Sequence, residues 1–269
     1  HGDAALALLE TGGPDWQDAL ARHLGAVAFR AGQAARVRSW LAPFLADAGR
    51  GRPPAHPGLR VHLALHLALH GMAASGEVAA HAVGAGTDPR VRAEEHGVLS
   101  GLAIHALVLV DRLEDAEHIA DIALSAAQRQ GSVIAYANAA FHRALCRHQR
   151  GALTDAWDDL EQARRLGAAG WPGGAGWIGE LLVDLAIDLG DREAAGEGAR
   201  LVRQAPEDSM EQALCHGALA RLHLLDGRPG AAASAALEAG RRLGDDFGVD
   251  HPGLLAWRPL AAIALHAAG

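Results

Sequence analysis

Arg150-Gly151-Ala152-Leu153-Thr154-Asp155-Ala156 is the stretch that decides how this chain is read. A glycine ends one apolar helical stretch, and five residues later an alanine stands where a second helix has to press closely on the first. The same figure recurs along the whole sequence. Its marks are Gly32, Gly71, Asp111, Gly151, Gly190 and Gly227, by subtraction 39, 40, 40, 39 and 37 residues apart. Five positions after each come Val37, Gly76, Ala116, Ala156, Ala195 and Ala232, all slim side chains. A period near forty predicts stacked pairs of helices, each unable to bury its apolar face without its neighbours.

Between the marks, apolar residues fall at helical spacing. Leu113, Ala116, Ala120, Ala123, Leu124 and Ala127 form one stripe, and Ile134, Ala137, Phe141, Ala144 and Leu145 form the next before Gly151 reverses the chain. The same reading predicts helices over 14–31, 33–49, 58–70, 73–84, 89–110, 113–130, 132–149, 152–167, 175–189, 192–204, 209–225, 229–244 and 252–268. Arg52-Pro53-Pro54, Thr87-Asp88-Pro89, Trp171-Pro172-Gly173-Gly174, Ala205-Pro206 and His251-Pro252 separate them. Pro89 and Pro252 suit a first helical turn, where the missing N–H costs nothing. No alternation of β-branched residues marks a strand. The expectation is an all-α, tetratricopeptide-like, right-handed superhelix (α-solenoid) of about six helix hairpins. Residues 1–269 form a single helical-repeat domain in this reading, with the first helix of each pair lining a concave face.

Composition agrees with that class and narrows the function. Hydrophobic residues make up 50% of the chain but aromatics only 4%, so the core has to be built from Ala, Leu and Val. All 24 basic residues other than His are arginines, against 32 acidic ones. Without lysine there is no GxxxxGK[ST] phosphate loop. A net charge of −8 with no basic stripe argues against direct nucleic-acid contact. Cys146 and Cys215 are too few for a disulfide framework and read as buried thiols of a cytosolic protein. His62, His66, His70 and His105 interrupt the longest apolar stretches, so no membrane span is expected. The chain opens at His1 without Met or a signal peptide and reads as an excised piece of a larger cytoplasmic protein, with a tag remnant at its start.

Several constellations invite a chemical reading, and each has a plainer one. His62, His66 and His70 form an i, i+4, i+8 ladder that could ligate zinc or nickel, but their spacers are Leu-Ala-Leu and no carboxylate or thiolate joins them. They read as a polar stripe on an apolar helix. Asp115, Glu117, His118 and Asp121 read as a solvated face, and Asp155, Asp158, Asp159 and Glu161 as acids favouring a helix N-terminus. There is no GxSxG elbow, and Cys146 has no activating neighbour, so no catalytic nucleophile is expected. Gly167 to Gly176 reads as a connector between hairpins. Trp16, Trp40, Trp157 and Trp257 read as core. The candidates for ligand or partner contact are Trp171 and Trp177, flanking that connector, with Tyr136, His142 and Arg143 facing the concave side.

Arg112-Leu113-Glu114-Asp115-Ala116-Glu117, Phe141-His142-Arg143-Ala144, Arg150 to Ala156 and Asp158-Asp159-Leu160 together carry a family likeness over about residues 90–269. With His251-Pro252-Gly253-Leu254-Leu255-Ala256-Trp257-Arg258, they resemble the helical arm of the large ATP-binding LuxR-type (MalT-like) transcription regulators. His251 stands where that family usually has Asn. The resemblance implies a sensor arm with no enzymatic activity and no cofactor of its own. Such an arm binds a small-molecule inducer or a protein partner and relays the event to nucleotide-binding and helix-turn-helix modules outside these residues. A self-standing protein-protein scaffold of the same fold is the alternative. Nothing in the sequence selects an oligomeric state.

Overall fold

In the computed structural model, residues 2–170 and 174–269 are described. The helices are Gly2–Ala7 (α1), Pro14–Val27 (α2), Ala34–Ala48 (α3), Pro57–Leu69 (α4), Ser75–Gly86 (α5), Pro89–Arg92 (α6), Val98–Leu109 (α7) and Leu113–Gln130 (α8). They continue as Val133–Gln149 (α9), Leu153–Gly170 (α10), Ala175–Leu189 (α11), Arg192–Val202 (α12), Met210–Leu225 (α13), Pro229–Arg242 (α14) and Trp257–Ala268 (α15). A π-helical turn, Leu243–Phe247, prolongs α14. Among the described residues there is no strand beyond one isolated bridge, so the fold is all-α.

Every mark of the sequence period carries left-handed backbone. Gly32, Gly71, Asp111, Gly151, Gly190 and Gly227 have φ of 75°, 59°, 62°, 78°, 73° and 66°. At the last five the next N–H reaches back to a carbonyl five residues earlier: Met72 to Leu67, Arg112 to Leu107 and Ala152 to Arg147 at 2.9 Å, Asp191 to Ala186 and Arg228 to His223 at 2.8 Å. That bond satisfies the carbonyls a helix end leaves open and turns the chain sharply into the next helix. The pairs α4/α5, α7/α8, α9/α10, α11/α12 and α13/α14 result, each packed along its length. The slim positions do press on the partner helix: Ala116, Ala156 and Ala232 are fully buried, and Val37 and Ala195 nearly so. Gly76 is the exception. It sits exposed in the first turn of α5, and Val78 and Ala79 take the buried role there.

First helices of successive pairs also pack side by side, α2 on α4, α4 on α7, α7 on α9, α9 on α11 and α11 on α13. The two ends of this row then meet. Ala31 N–H donates to Asp208 O at 2.7 Å and Met210 N–H to Phe29 O at 2.9 Å, with Arg30 and Asp208 paired at 2.6 Å. Phe247 and Val249 share one core with Leu65 and Leu69 of α4.

Some boundaries differ from the sequence reading, each for a local reason. The helix expected over 89–110 breaks at 93–97, because Gly97 adopts φ of 70° and the Glu94 carboxylate accepts from the N–H groups of His96 and Leu99. The helix expected from 252 starts at Trp257: His251 Nδ1 accepts from Gly253 N–H, and Leu255 is pulled into the core. The one expected over 14–31 ends at Val27, since Phe29 to Ala31 are spent on the bridge to α13. Helix α10 runs on to Gly170, shortening the connector expected from Gly167.

Candidate functional site

The space beside the row of first helices is not filled. It holds two adjoining cavities, the two lobes of the site, whose linings share the rings of His105 on α7, Phe141 on α9 and Trp177 on α11. One lobe, about 210 Å³, is chiefly apolar, with Phe29, Val98 and Leu102 completed by Asn138 and His142. The other, about 200 Å³, carries His148, Glu180, Asp184 and Arg221, and the segment Pro252 to Ala256 lies over it.

Local sequence explains how these groups reach the cavity. Gly101 lets α9 approach α7: a methyl there would meet Asn138 Oδ1 at 2.5 Å and His142 Cε1 at 2.6 Å. His142 Nδ1 donates to Asn138 O one turn back at 2.8 Å, leaving Nε2 as the acceptor. Burial drives His142 down to about 4 and His105 to about 3, the neighbouring His142 adding to the latter, so both rings are neutral near pH 7. Phe29 and His105 meet Trp177 edge-on, with ring centres 6.0 and 6.1 Å apart. The Glu211 carboxylate, on α13, accepts from Trp177 N–H at 3.0 Å at the start of α11, and burial raises it to about 7.

In the polar lobe, Arg221 holds Glu180 Oε1 at 3.1 Å and Asp184 Oδ1 at 2.5 Å. Burial, reinforced by the neighbouring Asp184 carboxylate, pushes Glu180 upward; burial pushes Asp184 upward too, against the pull of Arg221. His148 bonds Asp188 at 2.8 Å on the rim.

Of the candidates read from sequence, His142 and Trp177 line this cavity. Tyr136 and Arg143 do not. Tyr136 donates from its hydroxyl to Gln162 Oε1 at 3.1 Å, toward α10. Arg143 faces the seam between α8 and α10, where it bonds Asp159 twice, at 2.7 and 2.8 Å, and Asp121 at 2.7 Å. Arg147 bonds the same Asp159 at 2.8 Å, so this acid, 1% exposed, is a buried tie between two arginines and no helix cap. Trp171 lies outside the described residues. The residues that sequence reasoning missed are His105, Asn138, Glu180, Asp184 and Arg221. One signal was present: Glu180, Asp184 and Asp188 recur every four residues on an otherwise apolar helix, like charges that an isolated helix disfavours.

The histidine ladder lies elsewhere, toward the N-terminal end. His62 bonds Ala21 O at 2.9 Å, and the rings of His66 and His70 are 4.4 Å apart. Among the described residues no group of three or more His, Cys, Asp or Glu is placed to hold a metal ion, and no helix is long and apolar enough to cross a membrane. Both cysteines are free and buried, and burial raises the Cys146 thiol to about 12. Compared with known protein families and with curated proteins, the chain matches none of them.

Proposed function

We propose that this chain is the ligand-sensing arm of a bacterial LuxR-type (MalT-like) transcription regulator, built as a right-handed tetratricopeptide-like superhelix that receives a small-molecule inducer in its central cavity. The left-handed turns at a period near forty and the side-by-side first helices support the superhelix. The observation that carries the ligand reading is the cavity itself. It is concave, aromatic on one side and charged on the other, which is how small-molecule sites are generally lined. An extended peptide would need the groove that Pro252 to Ala256 occupies.

In this reading the arm is cytoplasmic, works without a cofactor or a reaction of its own, and touches neither nucleic acid nor membrane directly. Ligand binding would be relayed to nucleotide-binding and DNA-binding modules outside these residues, through the packed row of first helices.

A thermal-shift screen of metabolites and sugars against the whole chain tests it, because a ligand that binds only the folded state raises Tm by mass action. The account expects a hit whose shift disappears in Val108→Trp, which fills the polar lobe from α7. A broad panel without a hit, or a hit indifferent to Val108→Trp, would defeat it. The second reading, a protein-protein scaffold, is favoured by the apolar side chains Leu237, Ile263 and Leu265 standing exposed on α14 and α15.

A further inference from the structure

The polar lobe is short of positive charge. Glu180, Asp184 and Asp188 rise along α11, facing one guanidinium, Arg221 of α13, and one imidazole, His148 of α9. Among the described residues, the other titratable groups around them bring no cation. His105 on α7 is neutral, Cys215 on α13 is a buried thiol pushed upward by burial, and Glu211 on α13 adds a further acid near Trp177. A carboxylate taken out of water without a full counter-charge is unstable, and it either keeps a proton or recruits a cation. Arg221 is already divided between two carboxylates, so it has little to offer an anion.

The rings shared with the neighbouring lobe supply what the rest of such a ligand needs. Trp177 and Phe141 present ring surface to an apolar body, and aromatic faces also attract a nearby ammonium. Asn138, only 5% exposed, borders the same neighbouring lobe with its Oδ1 packed against Gly101 of α7. Each lobe, near 200 Å³, accommodates a ring system or a short chain and no large molecule.

We propose that the polar lobe takes a small organic cation, a primary amine on an aromatic or apolar body, with the ammonium against Glu180 and Asp184 and the ring against Phe141 and Trp177. This rests on the cavity being the ligand site and names the class of ligand. Burial raises both Glu180 and Asp184, and an ammonium beside them favours their charged forms, so uptake of the amine releases protons near pH 7.

Calorimetric titration of the whole chain at pH 7 with tryptamine and phenethylamine tests this, with 2-phenylethanol and phenylacetate as neutral and anionic counterparts. Runs in phosphate and in Tris read the proton release as a difference in apparent enthalpy. The expected result is binding of an amine, at least about tenfold weaker binding of phenylacetate, and proton release. In Glu180→Gln the amine affinity should fall at least about tenfold and the buffer difference shrink, while 2-phenylethanol binding is unchanged. The proton count on the unaltered chain stands even if the variant folds poorly. Phenylacetate or 2-phenylethanol binding as tightly as the amines would overturn the cationic class while upholding the cavity as a ligand site. No binding of either amine would overturn the proposal, with the metabolite screen then judging the cavity independently.

Discussion

At the scale of single residues, histidine is where this chain commits most to one protonation state. Burial lowers His62, His66 and His142 to about 4 and His105 to about 3, from an ordinary value of 6.5. Between pH 6.5 and about 4 the unfolded chain therefore takes up protons that the folded chain refuses, so acidification favours unfolding. Glu180, Asp184 and Glu211 act oppositely, because their raised values let the fold hold protons that the unfolded chain has released. Four histidines against three carboxyls, with His70, His81, His216 and His223 also lowered by burial, leaves the histidines ahead. The urea midpoint should thus fall from pH 7 to pH 5, with a slope on the order of 1 kcal/mol per pH unit for each histidine in excess. A midpoint that rises over that interval would contradict the assignment of neutral buried rings. These roles were hard to read from sequence, since 16 histidines offer many pairings and only packing separates the buried ones.

At the scale of the element, the hairpin was legible because its turn has a strict backbone requirement. Left-handed φ is cheap for glycine and strained for other residues, so five of the six marks are Gly and the sixth, Asp111, is of a type that tolerates it. Close packing of the two helices was legible in part, from the alanines. It becomes extreme in α11/α12, where a methyl on Gly198 would sit 2.8 Å from Gly179 O and 3.0 Å from Val183 N. Gly196, two residues earlier, has open space around its Cα. Gly198→Ala should therefore destabilise by about 1–3 kcal/mol, whereas Gly196→Ala should stabilise by up to about 1 kcal/mol through helix propensity alone. Denaturant midpoints of the two variants check this, and equal effects would mean the backbones of α11 and α12 are not in contact. What the period could not foretell is the segment after Phe247. His251-Pro252 has the form of a helix start, but Leu255 buries itself and the helix begins only at Trp257.

At the scale of the whole molecule, the decisive event is closure, and closure was invisible in the sequence. It joins Ala31 to Asp208 and Met210 to Phe29 through backbone hydrogen bonds, with the Arg30–Asp208 ion pair between residues 178 apart, and no local period in the sequence marks such distant partners. Local periodicity sets each pair of helices, whereas the accumulated curvature of many pairs determines whether the ends meet. The cavity inherits that illegibility. His142 and Trp177 stood out as polar or aromatic residues on apolar helices, and the four-residue spacing of Glu180 and Asp184 was a signal too, but their partner Arg221 is found only when α13 is laid against α11. Closure is thus the premise on which the apolar lobe depends, because it brings Phe29 beside Trp177. Arg30 and Ser209 face each other across the bridge as a non-hydrogen-bonded antiparallel pair, the geometry in which Cα atoms come within about 4.5 Å and a disulfide fits. Both natural thiols are buried and do not compete. The most direct test is a thiol count on the doubly substituted chain, Arg30→Cys with Ser209→Cys, after mild air oxidation and unfolding. Loss of two thiols from the monomer, with a gain in stability of up to about 5 kcal/mol, is the result the closed arrangement predicts. Four thiols remaining free would show that the ends stand apart, and the apolar lobe that Phe29 completes would fall with them.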